Sequence, residues 1–134
     1  MIVVDSSAVI AILFDEPPAA ALAARLIVDA ARLMSVASYL EVGTVLAGRR
    51  QSDRLKAIDD LDAFLTEGEI ALAPVDENQA RLALRARIVY GRGMGHGGPL
   101  NFGDAFSYAL AKSLSCPLLF IGDDFTATDV TAAL

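Results

Sequence analysis

Four short apolar runs, separated by stretches of helical pattern, constrain this chain more than any other feature. The runs are residues 2–4, a β-branched Ile-Val-Val stopped by Asp5, then 33–36, 70–75 and 118–121. Each suits a short buried strand. Between them the spacing predicts helices over 6–14, from Pro17-Pro18 to about 31, from Ser38 to about 50, and from a Ser52 cap to Gly68, with Leu55, Ile58, Leu61 and Leu65 on one stripe. A further helix is capped by Asp76 and carries Leu82, Leu84, Ile88 and Val89, and another runs from Phe102 to about Leu114. Strands that alternate with helices pair in parallel through right-handed crossovers. The expected fold is therefore α/β: an α/β/α sandwich around a central parallel sheet of four to five strands. A length of 134 residues suits one domain spanning 1–134.

Composition narrows the function classes. Eleven Lys and Arg against seventeen Asp and Glu leave a net charge of −6, so bulk positive charge does not attract nucleic acid. A polyanion would have to bind through a local site or through metal ions that invert the local sign. A single cysteine, Cys116, excludes an intrachain disulfide framework, and a single histidine, His96, excludes a two-histidine metal site. No basic leader segment or long uninterrupted apolar stretch is present, so a cytoplasmic protein without a membrane anchor is expected. The mean hydropathy of +0.48 is high for a small domain and points to surface covered by a partner.

Open parallel sheets place their sites beyond the carboxyl ends of the strands. Asp5 ends the first strand, Glu41 lies on the helix after the second, Asp104 opens the helix before the fourth, and Asp123 and Asp124 follow the fourth. Each also has a purely structural reading. Asp5 suits an N-cap, Ser38-x-x-Glu41 and Asn101-x-x-Asp104 suit capping boxes, and Asp123-Asp124 suits a turn. Taken together, carboxylates converging on one rim repel one another unless a divalent cation sits among them. With oxygen ligands alone, Mg²⁺ is favoured, and Mn²⁺ substitutes.

Four segments, MIVVDSSAVIAIL, SYLEVGTVL, LNFGDAFSYALAK and LLFIGDDFTATDV, stand in an order that resembles the PIN-domain ribonucleases, and among them the VapC toxins of bacterial toxin–antitoxin pairs. The resemblance spans essentially the whole chain. It implies a Mg²⁺-dependent endoribonuclease whose acidic cluster maps to Asp5, Glu41, Asp104 and Asp124, with Asp123 at the variable position of the G-x-D-F motif. Ser6 or Ser7 and Asn101 match positions that support the cluster, while Ala105 stands where relatives often carry Cys. Asp5 and Asp104 are the expected direct metal ligands; Glu41 and Asp124 complete the shell or orient the attacking water. A VapB-like antitoxin, a homodimer and a tRNA or rRNA substrate are also implied.

Other features carry less. His96 lies in a glycine-rich loop, GRGMGHGG, that matches no nucleotide-binding motif, and an exposed loop residue is its ordinary reading. Asp59, Asp60 and Asp62 read as a solvated helix face with a Lys56–Asp60 pair, and Cys116 reads as a core residue. Arg49, Arg50 and Arg54, and Arg81, Arg85 and Arg92, suit either phosphate contacts or a solvated face. Two other functions compete. A catalytically idle α/β binding module would keep the fold and lose the metal, which the complete acidic set opposes. A receiver-like acidic pocket needs a late lysine, and none follows Lys112.

Overall fold

The computed structural model describes residues 1–95 and 98–134; His96 and its loop role lie outside them. The chain forms β1 (Ile2–Val4), α1 (Ser6–Leu13), α2 (Ala19–Leu26), β2 (Arg32–Ser35), α3 (Val36–Arg49), α4 (Lys56–Glu67), β3 (Ile70–Ala73), α5 (Glu77–Tyr90), α6 (Phe102–Leu114) and β4 (Leu118–Leu119). Among the described residues the four strands make one sheet in the order β3-β2-β1-β4, and every pairing is parallel. A place for a fifth strand is marked by a single bridge, where Ala132 pairs with Leu118.

Side chains alternate across a strand, so β1 feeds two cores. Ile2 and Val4 pack with Val9, Leu22, Met34, Val42, Leu61 and Leu119 beneath α1 to α4. Val3 packs on the other face with Leu100, Tyr108, Leu110 and Leu118 beneath α5 and α6. This is an α/β/α sandwich. The chain leaves β1 toward β2 and β3 on one side and returns to β4 on the other, so strand order reverses between β1 and β4. A crevice at that reversal, outside the carboxyl ends of the strands, is where sheets of this type bind ligands.

Several boundaries differ from the sequence reading. Ser35, not Ser38, caps α3 by accepting from the Ala37 amide at 3.2 Å. Ser38 is instead buried one turn in, with its Oγ 3.0 Å from that of Ser107 on α6. The Ser52 cap does not form: Asp53 takes a left-handed conformation (φ 49°), and α4 starts at Lys56. Segment 27–31 is a turn, because the Arg32 guanidinium ties down the Leu26 carbonyl at 2.8 Å and the chain must enter β2. Strand β3 stops before Pro74, which has no amide to give the ladder. Leu55 and Ile58 fall off the α4 stripe and are exposed. Helix α5 buries Ala83 and Ala86 and leaves Leu84, Ile88 and Val89 in solvent, the reverse of what side-chain size suggests. The Lys56–Asp60 pair is present at 2.8 Å, and Cys116 packs half-buried against the second core.

Candidate active site

The buried run of β1 carries Asp5 to the sheet edge at the strand-order reversal. Asp5 is 2 % exposed, and its amide donates to the Leu119 carbonyl of β4 at 2.9 Å. It is also the N-cap of α1: Oδ2 accepts from the Ser7 amide at 2.9 Å and from Ser7 Oγ at 2.6 Å. Ser7 Oγ in turn accepts from the Ile121 amide at 3.2 Å, tying β1, α1 and the segment after β4 together. The other oxygen, Asp5 Oδ1, is buried with no hydrogen-bond partner. A buried carboxylate oxygen without a donor is costly, and a cation removes that cost.

Asp104 is held from the opposite side. Asn101 caps α6, its Oδ1 accepting from the Asp104 amide at 2.9 Å, while Asp104 Oδ2 accepts from the Asn101 amide at 2.9 Å. The capping reading is therefore realised at Asp5 and at Asp104, and it is compatible with a place in an acidic site, since a helix N-terminus helps hold a carboxylate. Asp104 is 6 % exposed, and burial pushes its carboxyl up to about 7, helped by the negative charges of Asp5, Asp124 and Glu41 and opposed by the Asn101 amide.

Glu41, one and a half turns into α3, does not reach back to cap its own helix. Its Oε1 accepts from Ser6 Oγ, and its carboxylate lies over the first turn of α6, in the space a Cβ on Gly103 would fill. Gly103 is thus required by close approach. Asp124 follows a turn at Gly122, whose φ of 88° suits glycine. Asp124 is half-buried, whereas Asp123 is exposed and uses its carbonyl to accept from Thr126. Asp5, Glu41 and Asp124 thus lie within electrostatic reach of Asp104. Among the described residues no Lys or Arg forms an ion pair with any of the four.

No three His, Cys, Asp or Glu side chains among the described residues are gathered closely enough to cage a cation as they stand. The fit to a divalent ion rests instead on an all-oxygen donor set and on the orphaned Asp5 Oδ1. Three contributors escaped the sequence reading in whole or part. Ser6 and Ser7 both serve, each on a different carboxylate. The Ser38–Ser107 bond locks α3 against α6, and Gly103 gives Glu41 its place. A glycine in the first turn of a helix is unfavourable by propensity, and that was the available signal. The arginines of α3 and the turn after it point elsewhere: Arg49 stacks 4.2 Å from the Phe14 ring centre, and Arg50 pairs with Asp60 at 3.0 Å.

An all-parallel sheet whose strand order reverses beside a rim of carboxylates defines an open α/β/α sandwich of the kind that binds ligands at that reversal. The PIN domain model matches residues 2–130, and the chain belongs to that family. It is 49 % identical over 132 residues to ribonuclease VapC28 of Mycobacterium tuberculosis, covering 98 % of this chain and 97 % of that protein. It is 45 % identical over 130 residues to ribonuclease VapC of Mycolicibacterium smegmatis, covering 97 % and 98 %. Among solved structures, Mycobacterium tuberculosis VapC20, described as a toxin that cleaves the sarcin-ricin loop, aligns with a TM-score of 0.72 at 19 % identity over 98 % of this chain and 97 % of that one. FitAcB from Neisseria gonorrhoeae aligns with a TM-score of 0.69 at 21 % identity, covering 98 % and 96 %.

Proposed function

We propose that this chain is a metal-dependent endoribonuclease, the toxin of a toxin–antitoxin pair, acting as one PIN domain over residues 1–134. The observation that carries the reading is the rim itself: Asp5 Oδ1 has no partner, and Asp104 is pushed up to about 7 beside three further carboxylates. The names of the relatives supply the substrate class, RNA. Mg²⁺, with Mn²⁺ as a substitute, suits the donor set.

Asp5 and Asp104 would hold the ion, each already oriented by its own helix cap. A divalent ion held there would supply Lewis-acid chemistry, lowering the pKa of a bound water and offsetting charge on the leaving oxygen. Glu41, steadied by Ser6, and Asp124 complete the acidic shell or orient the water. Attack by water needs no 2′-hydroxyl, so the products carry 5′-phosphate and 3′-hydroxyl ends. A structured RNA such as a tRNA or rRNA would be the target. A VapB-like antitoxin would mask the site, and a second copy of the chain would complete a homodimer. No helix among the described residues is long and apolar enough to cross a membrane. A cytoplasmic location would suit an RNA substrate.

The test incubates total cellular RNA with wild type, Asp5→Asn, Asp124→Asn and Asp123→Asn protein, with and without EDTA, and maps new 5′-phosphate ends. Expected are a few discrete ends that vanish with EDTA and with Asp5→Asn. They should weaken at least tenfold with Asp124→Asn and persist with Asp123→Asn. Cleavage that survives EDTA would sink the metal mechanism. Undiminished cleavage by Asp5→Asn would sink the site.

A further inference from the structure

We infer that Phe102 is a substrate-positioning residue, a stacking platform for a nucleobase next to the scissile phosphate. The inference rests on the ribonuclease reading and adds a residue to it. Phe102 opens α6, directly after the cap Asn101 and two positions before Asp104. Phe102 is 72 % exposed, among the most exposed large apolar residues of the described chain. The ring is nevertheless held in place, edge-to-face with Phe106 one turn on, at 5.1 Å between centroids and 84° between planes. It contributes to neither core cluster. Phe102 sits in the chain between Asn101, which holds Asp104, and Gly103, against which the Glu41 carboxylate lies. A braced aromatic face open to solvent at such a position is what an unpaired base stacks on.

Charge makes such a contact necessary. The rim is acidic and the whole chain carries −6, so the phosphates of RNA are repelled until a cation intervenes. Binding then has to draw on a contact that charge does not oppose, and base–aromatic stacking is one that every base supports. Arg92 lies close by in the chain path, its amide donating to the Leu100 carbonyl at 2.9 Å, and its side chain is exposed.

The experiment uses the absence of tryptophan from this chain. Phe102→Trp creates a single emitter at the platform. It is titrated, in Ca²⁺, with a mixed-sequence single-stranded RNA decamer and separately with inorganic polyphosphate, which has charge but no bases. Phe102→Ala, Phe102→Leu and Phe102→Trp are also compared with wild type for cleavage of total cellular RNA, and their oligomeric mass is measured by light scattering. Expected are quenching by RNA and not by polyphosphate, cleavage by Phe102→Trp near the wild-type rate, and losses of about fivefold to a hundredfold in kcat/KM for both Ala and Leu. Wild-type cleavage by the Ala and Leu variants, or equal quenching by the two polyanions, overturns the platform while leaving the ribonuclease reading intact. A change of mass without a change of cleavage overturns it in favour of a protein contact. If wild type leaves no discrete ends, the ribonuclease reading itself fails, and the platform with it.

Discussion

At the scale of single residues, the site depends on small groups placed beside charged ones. Asp5 and Asp104 were legible in the sequence because each ends or opens an element at the sheet edge. Their supports were only half legible. Ser6 and Ser7 are adjacent in sequence yet serve different carboxylates, because successive residues of α1 point in different directions around its axis. The capping-box alternative for Glu41 does not form, since pattern alone cannot see that Ser35 already caps α3. Gly103 makes the sharpest test. A Cβ there would strike the Glu41 carboxylate, the movable end of a flexible side chain, and no backbone. Gly103→Ala should therefore leave the fold intact, and alanine's better helix propensity offsets any local cost. It should displace Glu41 from Ser6 and lower kcat at least tenfold. Thermal unfolding and cleavage rate measured on the same preparation check this; lost activity with an unchanged Tm is expected, and full activity would remove Glu41 from the mechanism.

At the scale of elements, the four strands and their parallel order followed from apolar runs separated by helices, and α6 begins and ends where Asn101 and Pro117 imply. What the sequence concealed was which face of a helix turns inward. Helix α5 presents Ala83 and Ala86 to α6 because close helix packing favours small side chains there, and its larger Leu84, Ile88 and Val89 are left outside. On α3 and α4, Leu40, Leu55 and Ile58 are exposed as well. Clusters of apolar side chains on helices beyond the core need a partner in solution. Segments 17–31 and 38–66 both carry such side chains, Ile27 and Val28 in the first and Leu40, Leu55 and Ile58 in the second, and α5 adds a third exposed face. The expected outcome is a homodimer of the purified chain at micromolar concentration. Light scattering should return twice the 14.1 kDa chain mass. Leu84→Asp combined with Ile88→Asp should halve that mass if α5 is the dimer face. A wild-type monomer would leave these faces to the antitoxin alone.

At the scale of the whole molecule, the distribution of its cations decides how RNA is engaged. Of eleven Lys and Arg, six are bonded to carboxylates: Arg25, Arg32, Arg50, Lys56, Arg81 and Lys112. Arg49 lies over Phe14, and Arg87 is held by the carbonyls of Leu100 and Arg92. Arg54, Arg85 and Arg92 are exposed, and of these only Arg92 is tied by its backbone to the segment that enters α6. A continuous basic track for non-specific binding is thus missing from the described surface, in keeping with the net charge of −6. Each phosphate neutralised on a single strand contributes about −0.7 to the slope of log affinity against log salt. Two arginine contacts would then give a slope of roughly −1.4. We expect kcat/KM, measured at fixed saturating Mg²⁺ while KCl is varied, to fall with a slope no steeper than about −2. The same protein should lose all cleavage when the divalent ion is removed. A slope steeper than about −4 would require several more phosphate contacts than one chain presents. The basic surface would then have to come from a second subunit, and the acidic rim with its aromatic lip would be only part of the RNA site.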